Sequence, residues 1–317
     1  MRKPLIIAVS SFIVLLLFFA FVRPFNDWSF VPNAELFSQY GSFVGGFFGT
    51  IAALIASILL YKTLVAQKGS FTFERFETTF FNLLKTQRDI KNELTVKFPY
   101  INQNFEIVYF PYTGDNFFKS AKNELEKIQK SLEQKTYLSY YSEDDKERDY
   151  REIEELDDNT QLPPTTFIDP EEKIKELFEK ANWKLCNREY KITKIKWEQY
   201  QNKKSHLEKA TYIYLLFFNN YHFLVGHYYR HLHHILKHIA TQNGIINKKK
   251  YFGFLQAQMS SFELMLLFYN SLISQELQKL LVESNLLENL AIEDLLENSH
   301  NVNPKIKLRF RSEIIDT

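Results

Sequence analysis

Residues 4–22, PLIIAVSSFIVLLLFFAFV, make an uncharged, mostly apolar run, close to the roughly 20 residues that cross a bilayer core as a helix. A cleaved signal peptide has a shorter apolar region, about 7–15 residues, followed by a small-residue cleavage site. No such site follows this run. A second run, GSFVGGFFGTIAALIASILLYKTLV at 41–65, carries no charge until Lys62. The pair predicts a transmembrane helical hairpin over residues 1–67, with spans at about 4–22 and 41–65, and a separate domain over 68–317.

Arg2, Lys3, Lys62, Lys68 and Arg75 flank the hairpin on one side, whereas its connecting loop holds only Arg23. The excess of basic residues on cytoplasmic segments then puts both termini in the cytoplasm and residues 24–40 outside. Trp28, Phe30 and Tyr40 suit the outer interface. This is the topology of a multi-pass membrane protein. In the second run Gly41, Gly45, Gly49, Ala53 and Ser57 recur at every fourth position, leaving a smooth face that lets another helix backbone approach closely. Either the first span or a second copy of the chain would fill it, so the bilayer and a homo-oligomer are the expected partners.

The rest of the chain is long enough for a sizeable core. Thirty phenylalanines stand against nine glycines and nine prolines, so aromatic packing is plentiful and turn formers are scarce. The fold class expected is mainly α: two N-terminal transmembrane helices, then a cytoplasmic helical bundle with a polar insertion. Helical patterns cover 71–95, 116–134, 169–205, 208–241, 249–272 and 274–297. Residues 96–113, with two prolines and a glycine directly after them, read as an irregular excursion with a short strand at 105–109. EDDKERDYREIEELDD at 143–158 holds ten acids and three bases. With the following NTQLPPTT it predicts a flexible acidic insertion at about 140–168, because so little apolar surface cannot offset the entropy of ordering. The basic stretch 184–204 is its natural electrostatic neighbour across a helical hairpin.

A net charge of +1 gives no reason to expect a nucleic-acid partner. The single cysteine, Cys186, excludes an internal disulfide framework and reads as a packed, inert thiol. No phosphate loop or nucleophile elbow occurs.

In HYYRHLHHILKHI (227–239), helical periodicity puts His227, His231, His234 and His238 in one stripe with Arg230 at its edge. Tyr221, Tyr228, Leu232, Ile235 and Ile239 fall on the opposite flank. The i, i+4 histidine pairs suit metal ligation, yet no HExxH or cysteine pair completes a site. No metal or cofactor is expected. Ribonucleases of the HEPN type carry arginine, a polar residue and a spaced histidine on a helical bundle. Arg230, His231 and His234 begin that pattern, but His234 lies too near Arg230 and His238 too far.

In YFGFLQAQMSSFELMLLFYN (251–270), Gln256, Ser260, Glu263 and Asn270 share one stripe of an otherwise apolar helix. A buried carboxylate needs a partner. Arg230, whose fork matches a carboxylate, is the expected one. Arg230, Glu263, Gln256, Ser260 and Asn270 are thus predicted to form a functional polar seam between two helices.

Four segments, LLYKTLVAQ (59–67), FERFETTFFNLL (73–84), LVGHYYRHLHHILKHI (224–239) and QAQMSSFELMLLFYN (256–270), follow one another as they do in a known family. With them the chain resembles the phage abortive infection family of AbiC-like bacterial membrane proteins. That family usually has tyrosine at the position of His233 and arginine at that of Gln256. The resemblance implies two membrane spans, a helical cytoplasmic domain and a role in phage defence, with no settled biochemical activity.

The function expected is therefore a membrane-anchored defence protein that senses infection, through a phage or host trigger, and causes growth arrest or cell death. It reads as an interaction protein rather than an enzyme. The alternatives are a metal-independent HEPN-like RNase at Arg230, His231 and His234, and a structural membrane interaction protein.

Overall fold

The computed structural model describes residues 34–157, 170–242, 247–301 and 305–315, and among these the chain is mainly helical. It divides into two units, Met1–Thr72 and Phe73–Thr317.

In the first unit, α1 (Ala34–Phe43) leads through a π-helical turn (Val44–Phe48) into α2 (Gly49–Glu93). One described helix, Gly41–Glu93, is long and apolar enough to cross a membrane. That covers the second expected span only, since residues 4–22 lie outside the described residues. Ile51, Leu54, Leu60 and Leu64 are exposed. So are Gly41, Gly45, Gly49, Ala53 and Ser57, and a Cβ added at any of the three glycines would meet nothing within 4 Å. The small-residue face is therefore open among the described residues, and Ser57 spends its hydroxyl on the Ala53 carbonyl at 2.8 Å.

In the second unit the last part of α2 carries Phe76, Phe80 and Leu84 at helical spacing, all buried. It ends at an antiparallel hairpin, β1 (Thr95–Ile101) and β2 (Ile107–Thr113), in register from Thr95 opposite Thr113 to Ile101 opposite Ile107. The short strand expected at 105–109 corresponds to β2, but the stretch expected to be otherwise irregular is a regular paired hairpin. Pro99 and Pro111 do not prevent pairing because each strand of a two-stranded ribbon has a free edge for the missing donor. Asn102 closes the turn, its Oδ1 accepting from the amides of Asn104 and Glu106. Gly114 then turns the chain into α3 (Gly114–Leu132) with φ +54°, a left-handed conformation that suits glycine.

Helix α3 buries Phe117, Phe118, Ala121, Leu125, Ile128 and Leu132 on one face and packs against the hairpin and several later helices. Its Glu124 is buried too, held by Lys127 at 2.6 Å and by the Tyr190 hydroxyl at 2.8 Å.

The acidic stretch differs from the solvated loop expected of it. Residues 143–157 form α4 (Glu143–Asp157), which packs on α5 (Pro170–Glu189). Lys184 reaches Asp145 at 2.7 Å, and Ile153 covers a small core that includes Phe105, Tyr141 and Leu177. A few apolar positions and one buried ion pair offset the entropy that composition alone leaves unmatched. Residues 158–169 lie outside the described residues.

The long helix expected over 169–205 is two, α5 and α6 (Lys194–Gln201), because Lys191 at φ +50° breaks it. Cys186 is buried, and burial pushes its thiol pKa up. Helix α7 (His206–Thr241) starts at an N-cap, Ser205, whose side chain accepts from the Glu208 amide. It runs through the core with Tyr221, Tyr228, Leu232, Ile235 and Ile239 buried as expected. The helix expected over 249–272 is also two, α8 (Lys248–Gln256) and α9 (Ser261–Ser271). Helix α10 (Gln275–Ser284) ends at Asn285 in the left-handed region, so the pattern expected to run to 297 finishes early. Two 3-10 turns and a short α11 (Arg311–Ile315) follow.

Candidate functional site

The break between α8 and α9 is made by Ser260. Its side chain accepts from the Glu263 amide, and the Glu263 carboxylate accepts from the Ser260 amide, a capping box that satisfies two otherwise unpaired donors at a helix start. Residues 261–271 are therefore re-aimed, and Glu263 enters the core with a residue exposure of 2%.

Three donors hold that carboxylate. The Tyr228 hydroxyl of α7 donates to Oε1 at 2.6 Å. Oε2 takes the Lys91 ammonium of α2 at 3.1 Å and the Ser260 amide at 2.9 Å. Lys91 also donates to Asp115, the second residue of α3, at 3.0 Å. One buried acid thus ties together four helices, α2, α3, α7 and α9. Burial works against the Lys91 ammonium, but Glu263 and Asp115 outweigh it and the pKa is raised. Burial and then the Glu263 charge push the Tyr228 phenol well above its ordinary value, so it stays a donor.

The expected Arg230–Glu263 pair does not form. Arg230 is exposed, and its Nε donates to the Gly226 carbonyl of its own helix at 3.2 Å. The reason is rotational: Tyr228 occupies the inward position of that turn, and Arg230, two residues on, is about 200° away. Nor do the five seam residues form one stripe. Gln256 donates to the Leu286 carbonyl at 2.9 Å, and Asn270 accepts from Tyr214 at 3.0 Å, deep in the core. Only Ser260 and Glu263 meet.

The histidines scatter. His227 and His234 are exposed. The Nδ1 of His231 faces the Gln87 Oε1 of α2 at 2.7 Å. His238 stacks on Phe76, with ring centroids 5.1 Å apart. His233, at 3.5 Å, faces Glu276. Burial, then the neighbouring histidine charges, lowers the pKa of His231 and of His238. Among the described residues no group of three His, Cys, Asp or Glu side chains is placed to hold a metal ion. The residues of the RNase alternative do not converge either, since Arg230 turns back on its helix, His231 turns inward and His234 faces solvent.

Beside the clamp lies a cleft of about 300 Å³. Gln87, Arg88 and Lys91 line it from α2, and Tyr228 and Leu232 from α7. Leu255, Gln258, Met259 and Glu263 complete the lining. Lys91, Gln87 and Arg88 were not anticipated. The capping box Ser260-Ser261-Phe262-Glu263 was legible as a helix start, but no local pattern announces a partner 172 positions away.

Most of these residues fall within one segment. Residues 220–295 match the model of a family described as putative phage abortive infection protein. The match contains both motifs on which the family resemblance rested most, 224–239 and 256–270, and with them Tyr228, Ser260 and Glu263. It does not extend to Lys91 or Gln87. No curated protein and no solved structure matches the chain.

Proposed function

We propose that the protein is a membrane-anchored bacterial defence protein that acts by abortive infection, arresting or killing the infected cell. The observation that carries this reading is the family match over 220–295, which includes Tyr228, Ser260 and Glu263 of the clamp. Anchoring is supported by the apolar helix Gly41–Glu93. The basic residues flanking it, together with the run at 4–22, favour two spans with both termini in the cytoplasm of the inner membrane. The open face at Gly41, Gly45, Gly49, Ala53 and Ser57 supports association of copies through the second span. On this reading the phage or host trigger acts on the helical unit, and the clamp holds that unit in its competent form.

The test is a phage challenge in an inducible bacterial host at low and high phage-to-cell ratios. Wild type is expected to protect at the low ratio and to collapse the culture at the high one. Glu263→Ala and Lys91→Met are expected to lose both effects, while Arg230→Ala keeps them, at equal membrane levels. Absence of protection against a broad phage panel overturns the proposal. Early cleavage of tRNA or rRNA in the infected cells would instead point to the RNase alternative.

A further inference from the structure

The cleft beside Glu263 is rich in hydrogen-bond donors. Both oxygens of Glu263 are taken by Tyr228, Lys91 and the Ser260 amide. Gln87 accepts from His231 through Oε1, which requires the Nδ1–H form of that imidazole. Its Nε2 is buried and, among the described residues, has no partner in hydrogen-bond geometry beyond its approach to the Tyr228 hydroxyl, although Gln87 is itself only 7% exposed. A buried amide without a well-placed acceptor is costly, so it calls for one. The next residue, Arg88, is exposed at the mouth and has no ion pair among the described residues. Gln258 adds a further exposed amide, and Leu232, Leu255 and Met259 provide an apolar wall.

From these groups we infer that the cleft binds a small ligand bearing an oxyanion, carboxylate or phosphate, on a short apolar body. The oxyanion bonds to the Gln87 amide and the Arg88 guanidinium, and the apolar body lies against Leu232, Leu255 and Met259. A cationic ligand is disfavoured because the buried Glu263 carboxylate already takes three donors and two cations, Arg88 and Lys91, line the cleft. The volume, about 300 Å³, is at the small end of ligand pockets, which begin at about that size. This inference does not depend on the role in phage defence.

The test uses the full chain in detergent micelles, titrated with benzoate and with phenyl phosphate, and with benzylamine and benzyl alcohol as controls. Binding is read by saturation-transfer NMR and by thermal shift. Saturable binding of at least one anion is expected, and whichever anion binds more tightly identifies the oxyanion class. Arg88→Ala should weaken that binding by about tenfold or more, the worth of one charge-assisted bond. Arg151→Ala, which removes a remote exposed arginine, should leave it unchanged. Absence of saturable binding by both anions overturns the inference. So does equal loss in the two arginine variants, or equal binding of benzylamine.

Discussion

At the scale of the residue, Glu263 shows how one buried charge selects its partner. Lys91 retains 14% side-chain exposure against 2% for Glu263, so the pair is shielded from solvent mainly on the acid's side. Removing one partner of such a buried pair costs about 3–5 kcal/mol, because it strands the other. A double-mutant cycle on Lys91→Met and Glu263→Gln is therefore expected to show coupling of about 1–3 kcal/mol. The same cycle on Arg230→Ala and Glu263→Gln should be additive, and measurable coupling there would contradict the exposed position of Arg230. The histidines give a second prediction. Folding lowers the pKa of His231 and of His238, in each case through burial first. The unfolded chain therefore takes up these protons near its ordinary value of about 6.5 while the folded chain refuses them, and stability falls as pH drops through that value. Glu124 and Asp149, whose pKa values burial raises, act in the opposite sense, so the difference between variants is the readout. His238→Phe keeps a ring on Phe76 and removes one titrating group. Its loss of Tm between about pH 7.5 and about pH 5.5 should be smaller than that of wild type, and an equal loss would exclude His238 from the acid response.

At the scale of the element, the sequence was most legible where one face of a helix decides the pattern. Helix α7 has its buried tyrosines and aliphatics where the 3.6-residue period puts them. Helices α8 and α9 were merged in the reading because Tyr251, Leu255, Met259, Phe262 and Leu266 continue an apolar pattern across the break. The periodicity of side chains is blind to a local capping bond, and here the cap wins. Ser260→Ala removes the acceptor for the Glu263 amide and should cost about 1 kcal/mol in urea unfolding. Ser260→Asp, which keeps an acceptor at the cap, tests whether the loss comes from the cap. Recovery of less than half the stability would show that the serine acts by packing instead. The first strand of the hairpin and α4 were missed for a different reason. Prolines and acids argue against order locally, and in both cases a long-range surface, the α3 core or Lys184, supplies what the local sequence lacks.

At the scale of the whole molecule, composition and hydropathy gave the mainly helical class and an apolar helix of membrane-spanning length. They could not give the clamp, because Lys91 lies outside both motif helices and only the tertiary fold brings it to Glu263. The first unit is the reverse case. Its small-residue ladder is plain in the sequence, and nothing among the described residues packs on it. If copies of the chain associate there in the bilayer, close backbone approach along Gly45, Gly49 and Ala53 brings the two Ser57 side chains together. Cys186 is buried and slow to react, so a cysteine introduced in the span reports on its own neighbours. Ser57→Cys should give a disulfide-linked dimer on mild oxidation of isolated membranes. Ile55→Cys, about 200° around the same helix, should remain monomeric. Adding Gly49→Leu to Ser57→Cys should then abolish the dimer without lowering the amount of protein in the membrane, because a leucine holds the helices apart. Equal crosslinking from both positions would mean that copies collide without a preferred face, and the ladder would then serve packing within one chain.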